Sequence, residues 1–150
     1  MKLSISNFPM AGDDLTAGGV VELARIAERS GVDRLCIADY PFHEDCTVLM
    51  MACLAATDSL EVESLVTSPF RRAADVTASA FATLAELSGG RAILGVGRGG
   101  GAAETWVEPW GFERPRALAA MEEFVTICRT MWTGGTPPFV GTVLHTSGRP

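Results

Sequence analysis

The sequence predicts an α/β fold built on a parallel sheet, and three observations predict it. Hydrophobic periodicity switches repeatedly between a strand-like and a helix-like repeat. Strand starts recur roughly every 30 residues, one β-α unit each. The segment Ala92-Ile-Leu-Gly-Val96 is short and apolar throughout, as a strand buried on both faces should be. Each crossover helix in such a repeat returns the chain to the same end of the sheet, so the strands run parallel.

Taken in order, Leu3, Ile5 and Phe8 outline a first strand that Pro9 ends. Beyond the polar Gly12-Asp13-Asp14 turn, Thr16 can cap a helix with an apolar face of Val20, Leu23, Ala24, Ile26 and Ala27. Gly31 ends that helix, because glycine takes the left-handed conformation a helix terminus favours. Arg34 to Ala38 is the second strand and runs into Asp39. A second helix is expected from about Asp45 to Thr57, with Asp45 satisfying its free N–H groups. Leu60, Val62, Leu65 and Val66 give a third strand, with Glu61 and Glu63 alternating outward near its start and Pro69 stopping it. A third helix covers about Ala74 to Leu87 and ends at Gly89-Gly90. After the fourth strand, the Gly97–Gly101 loop and a long connection lead to Pro115, suited to the first turn of a helix reaching about Trp132. From Gly134 to Pro150 the rhythm breaks. Pro137-Pro138 and Phe139 to Val143 read as an extended insertion.

The 150 residues have the length of one domain, and 47% hydrophobic content is enough for a core. A net charge of −6, with no run of Lys and Arg, argues against a nucleic-acid partner. No apolar stretch is long enough to span a bilayer, and no signal-peptide layout precedes the first strand, so a cytoplasmic protein with no membrane partner is expected. Four cysteines lack C-x-x-C spacing and read as free thiols in a reducing compartment. His43 and His145 pair with no cysteine at ligand spacing, so no metal site is expected.

Ligands on parallel sheets bind beyond the carboxyl ends of the strands. Those ends are Phe8-Pro9, Asp39-Tyr40, Val66-Thr67-Ser68 and Gly97-Arg98-Gly99. Gly95, Gly97 and Gly100 form G-x-G-x-x-G, which in a dinucleotide fold lets a pyrophosphate approach a tight turn. That reading needs a helix at the loop and an acidic residue closing the next strand, yet Trp106, Pro109, Trp110 and Gly111 follow. The other reading is a flat ring lying close to the backbone, where side chains would be in the way. Asp39 is either a functional carboxylate at a strand end, or a helix cap or solvated loop carboxylate. His43 and Glu44 can transfer protons or simply make the loop polar. Arg71-Arg72 can hold a phosphate or carboxylate, or start the third helix in solvent. Trp106, Trp110 and Phe112 either cover a pocket or pack the long connection.

Together these segments resemble the luciferase-like monooxygenase superfamily. Gly31-Val-Asp-Arg-Leu-Cys-Ile-Ala-Asp39 is similar to its second strand, and Leu65-Val-Thr-Ser-Pro-Phe-Arg-Arg72 to the end of its third. Leu84-Ala-Glu-Leu-Ser-Gly-Gly-Arg-Ala-Ile-Leu-Gly-Val-Gly-Arg-Gly99 is the most specific match, and Arg114 to Glu123 resembles the helix that follows. The resemblance implies a (β/α)8 TIM barrel, here its first four β-α units and the start of an insertion over residues 1–150. It is closest to the branch that uses coenzyme F420, an 8-hydroxy-5-deazaflavin, with FMN as the second cofactor to expect. The family's third strand ends in a bulge with a non-proline cis peptide that backs the ring. Carried onto this sequence, the bulge falls at Leu65-Val66, with Thr67 and Ser68 beside it. Asp39, Gly97, Arg98 and Gly99 would border the same cofactor, and Asp39 and Tyr40 would be the catalytic pair. Many deazaflavin members carry histidine where Tyr40 stands, and a phenol is a poor proton acceptor at neutral pH.

A barrel of this type needs about 250 residues. Four parallel strands leave two open edges, which invite association. The sequence therefore suggests a truncated or partial gene product, or a split protein completed by a second chain that supplies the other half-barrel, binding cofactor poorly by itself; a homo-oligomer is the other association expected. The function implied is hydride transfer or monooxygenation of a small organic substrate. A self-contained, doubly wound nucleotide-binding module and a non-catalytic remnant are the alternatives.

Overall fold

The computed structural model describes residues 1–7, 16–40, 43–98, 117–135 and 138–147. The chain divides into two units, one of Met1–Val66 with Thr83–Gly95 and one of Thr67–Ala82 with Val96–Pro150.

In chain order, strand β1 (Ser4–Asn7) leads to helix α1 (Ala17–Arg29), then β2 (Arg34–Ile37), α2 (Cys46–Ala55), β3 (Glu61–Ser64), the helix α3 (Ala74–Ser88) and β4 (Ala92–Ile93), all in the first unit except α3, whose residues up to Ala82 belong to the second. The local signals for these elements are simple chemistry. Thr16 caps α1 through its hydroxyl, which accepts the Gly19 N–H at 3.2 Å. Asp45 caps α2 in the same way, accepting the Val48 N–H at 3.0 Å. Gly31, at φ 77°, closes α1 while the Val32 N–H donates back to the Ala27 carbonyl at 3.0 Å.

The four strands lie side by side in the order β1-β2-β3-β4, every pair parallel. A doubly wound sheet would reverse its order around the first strand. The sequential order rules out the self-contained doubly wound module and fits consecutive staves of a barrel.

Register sorts the sheet into two unlike faces. Leu35, Ile37 and Val62 are fully buried and share one face. On the other, Arg34 stands opposite Glu61, and Cys36 opposite Glu63. The Arg34 guanidinium donates to Glu61 at 2.8 Å and to Glu63 at 2.7 Å, and Lys2 reaches Glu61 at 2.6 Å. Glu61 and Glu63 therefore alternate as expected, but they are half-buried and ion-paired to the neighbouring strand instead of facing bulk water. Lys2 and then Arg34 hold the Glu61 carboxyl below the usual carboxylate range.

Other departures follow from the same geometry. Ile26 belongs to the apolar face read from the sequence, yet it is 47% exposed, while Val20, Ala24 and Ala27 fill the interface. The buried stripe of α1 is narrower than its apolar stripe. Strand β3 stops at Ser64, so Leu65 and Val66 lie past the strand they were assigned to. Residues 92–97 are half-buried, not enclosed on both faces, and only Ala92 and Ile93 form regular strand.

In the second unit, helix α4 (Ala117–Trp132) buries Ala120, Phe124, Ile127 and Cys128 and is tied to α3 by two hydrogen bonds. The Trp132 indole donates to the Ala78 carbonyl at 2.9 Å, and the Cys128 thiol to the Ala74 carbonyl at 3.6 Å. The extended insertion is a hairpin of β5 (Phe139–Val140) and β6 (His145–Thr146). Glu123 on α4 holds its turn, accepting from the Thr142 and Leu144 N–H groups at 2.6 and 2.7 Å, from the Val143 N–H at 3.0 Å, and from the Thr142 hydroxyl at 2.8 Å. Cys36, Cys46, Cys53 and Cys128 are free and buried, and burial pushes the Cys53 and Cys128 thiols up to about 11. No helix of the described residues is long and apolar enough to cross a membrane.

Candidate functional site

Because the four strands are parallel and ordered, their carboxyl ends share one edge of the sheet. In the first unit that edge carries Asn7, Asp39 and the Leu65-Val66 step. Asp39 is buried at the end of β2, behind the fully buried Ile37. Leu65 joins β2 directly, its N–H donating to the Ile37 carbonyl at 2.7 Å, two residues ahead of Asp39. Tyr40 is half-buried, and its ring lies 5.6 Å from the His43 ring at an interplanar angle of 54°, an ordinary tilted aromatic contact. The structure thus brings His43 beside Tyr40, a pairing that spacing in the sequence did not show.

The peptide bond between Leu65 and Val66 is cis. It falls in a break of the β3–β4 ladder. Val62 pairs with Ala92 and Glu63 with Ile93, whereas the next pairing is Thr67 with Val96. Between those pairings the β3 side advances four residues and the β4 side three, which is the extra residue of a bulge. Leu65 and Val66 are 36% and 41% exposed, although both are apolar. The ladder break is bridged by a side chain. The Ser64 hydroxyl accepts the Gly95 N–H and donates to the Gly95 carbonyl, both at 3.0 Å. Gly95 is needed there, since a methyl group in its place would collide with the Ser64 carbonyl oxygen. This accounts for the first glycine of the G-x-G-x-x-G pattern by strand packing rather than by a pyrophosphate.

In the second unit the Gly97 N–H donates to the Thr67 carbonyl at 2.8 Å. Thr67 and Ser68 are buried, and Arg98 is exposed. The Thr67 hydroxyl is a buried polar atom with no hydrogen-bond partner. Leaving such a group unpaired costs free energy, and a polar ligand atom is one partner that would relieve it. Arg71 N–H closes a turn on the Ser68 carbonyl at 3.0 Å. Gly99, Gly100, Trp106, Trp110, Phe112, Phe8 and Pro9 lie outside the described residues. Among the described residues no three His, Cys, Asp or Glu side chains are grouped so as to hold a metal ion.

Sequence reasoning missed Ser64. Its signal was present, a hydroxyl on the buried face of a strand, but its partner glycine is 31 residues away.

The family model described as luciferase-like monooxygenase matches residues 1–150. The chain is 30% identical over 129 residues to a 5,10-methylenetetrahydromethanopterin reductase of Methanolobus tindarius, covering 86% of this chain and 39% of that protein. It is 32% identical over 140 residues to an F420-dependent glucose-6-phosphate dehydrogenase of Nocardia farcinica, covering 86% and 42%. Among solved structures, the coenzyme F420-dependent tetrahydromethanopterin reductase of Methanopyrus kandleri superposes with a TM-score of 0.85 at 22% identity, over 98% of this chain and 44% of that one. The chain spans about two fifths of the length of the curated relatives it matches. The fold is the luciferase-like α/β barrel type, represented here by four parallel β-α units.

Proposed function

Because the chain belongs to the luciferase-like monooxygenase family, we propose that it carries the ring-binding part of a deazaflavin-dependent oxidoreductase, passing hydride between coenzyme F420 and a small organic substrate. The observation that carries this reading is the Leu65-Val66 bulge, an exposed apolar step placed at the carboxyl edge of a parallel sheet. F420 is favoured over FMN because a 32%-identical relative is named as F420-dependent. When bound, the deazaflavin supplies the hydride donor or acceptor, and the protein supplies position and electrostatics.

Leu65 and Val66 would lie against one face of the ring and keep water from it. The Thr67 hydroxyl would find at the ring's polar edge the partner it otherwise lacks. The family resemblance extends the set to Ser68, Gly97 and Arg98 in the second unit and to Gly99 outside the described residues. Asp39, buried at the end of β2, would orient the reacting group. Tyr40, with its ring packed on His43, would hold or pass a proton at the substrate. We place the protein in the cytoplasm and assign the cofactor phosphates to further β-α units, in the same polypeptide or in a second copy, since barrel phosphate sites commonly lie near the seventh and eighth strands. A small molecule is the substrate, with no nucleic acid involved.

The test is a fluorescence titration of the full-length protein carrying this chain, with F420 and with FMN. The reading expects saturable F420 binding, tighter than FMN. Tighter FMN binding would move the assignment to the monooxygenase branch, because a deazaflavin lacks the N5 atom that oxygen activation needs. Binding of neither would end the proposal.

A further inference from the structure

A bulge that supports a ring must itself be held, and backbone pairing alone does not hold this one. On the β2 side, Leu65 is fixed by its N–H bond to the Ile37 carbonyl. On the β4 side, the regular ladder gives out after the Glu63–Ile93 pair. At that point the Gly95 N–H, which in a continuous ladder would go to the β3 backbone, goes to the Ser64 hydroxyl. The same hydroxyl turns its proton to the Gly95 carbonyl. A hydroxyl is suited to this, having one donor and two acceptor lone pairs on a single rotatable atom. Ser64 is fully buried, so water cannot replace it. Gly95 is the matching half, since any side chain there would strike the Ser64 carbonyl.

We propose that Ser64 is a positioning residue for the cofactor face: by clasping Gly95 from both sides, its hydroxyl fixes the height at which Leu65 and Val66 stand above the sheet edge. The inference rests on the functional reading above, in that the bulge is taken to meet the ring. Ser64 touches no reacting atom and acts only through the two residues that follow it. Without the hydroxyl, the Gly95 N–H and carbonyl lose the partner that the fully buried Ser64 supplies, and the cheapest relief is for β4 and the bulge to part.

The experiment compares Ser64→Ala and Ser64→Thr with the wild type in the full-length protein, using two readouts. One is backbone amide exchange at Gly95 without cofactor, and the other is F420 affinity by fluorescence. Ser64→Ala is expected to lose Gly95 protection and to weaken F420 by about tenfold, the scale of one buried hydrogen bond. Ser64→Thr keeps the hydroxyl and is expected to retain both. Val20→Ala, on the buried face of α1, is the control: it lowers stability and leaves F420 affinity unchanged. Wild-type affinity in a folded Ser64→Ala variant would overturn the proposal, as would an equal loss of affinity in Val20→Ala. Should Ser64→Ala not fold, Ser64→Cys, similar in size but a poorer hydrogen-bonding group, is read in its place with the same expectations. If the wild type binds neither F420 nor FMN, the functional reading and the positioning role fall together. Gly95 exchange then still decides separately whether the clasp exists.

Discussion

Replacing Arg91 with alanine should destabilise the first unit more than any other single change to a half-buried side chain there. Its guanidinium ties the nearby end of α3 to the end of α2 and the start of β3, 31 to 37 residues away. Nε donates to the Ser88 carbonyl at 2.9 Å, Nη2 to the Leu54 carbonyl at 2.9 Å, and Nη1 to the Leu60 carbonyl at 3.1 Å and the Thr57 hydroxyl at 3.2 Å. Leu54 and Ser88 lie in the last turns of α2 and α3, where carbonyls lack helical partners and a cation is favoured. The Arg91 carbonyl meanwhile accepts the Val62 N–H at 2.9 Å, so the side chain fixes the residue that starts the β3–β4 ladder. At about 1 kcal/mol net for each of three carbonyl bonds, with a little more for the hydroxyl, the loss comes to about 3–4 kcal/mol. For a chain of this length that is a fall in melting temperature of roughly 10 °C. Urea unfolding of wild type, Arg91→Ala and Arg91→Lys measures it. Lysine presents its donors from one point and cannot span the four acceptors, so about half the loss should remain. A loss below about 1 kcal/mol in Arg91→Ala, at unchanged m, would refute the clamp.

Two further predictions rest on carboxylates. Hydrogen bonds from the Leu144 N–H and its neighbours hold the Glu123 carboxyl down at about 2, from a usual 4.5. A depressed carboxylate contributes in full above its unfolded value and loses that contribution as pH falls through the folded one. Amide protection factors at Thr142, Val143 and Leu144 should therefore hold at pH 5 and collapse towards pH 2, while Glu123→Gln should lose them throughout; pH-independent protection would contradict this. Asp45→Ala removes the cap of α2 and should cost about 1 kcal/mol in urea unfolding, and an unchanged midpoint would show that the cap contributes nothing.

What the sequence discloses and what it hides divide along sequence distance. Thr16, Asp45, Gly31 and Gly89-Gly90 act on residues within one turn, so the ends of the helices are legible from their immediate neighbours in the chain. The cis step at Leu65-Val66 stands where the family resemblance puts it. Arg91, Glu28 and Glu123 are silent for the opposite reason. Glu28 accepts the Asp58, Ser59 and Leu60 N–H groups with one carboxylate oxygen, 30 to 32 residues along the chain. In a sequence, such residues look like any charge on a solvated surface. The half-burial of residues 92–97 departs from the expected enclosure because apolar composition states what a strand can bury, not what lies against it.

The most direct measurement is a map of backbone amide resonances as F420 is added to the full-length protein. Shifts should concentrate at Asp39, at residues 64 to 68 and at 95 to 98, and grow with saturation. Shifts that spare the Leu65-Val66 step while appearing elsewhere would contradict the claim that this bulge is the face the ring rests on.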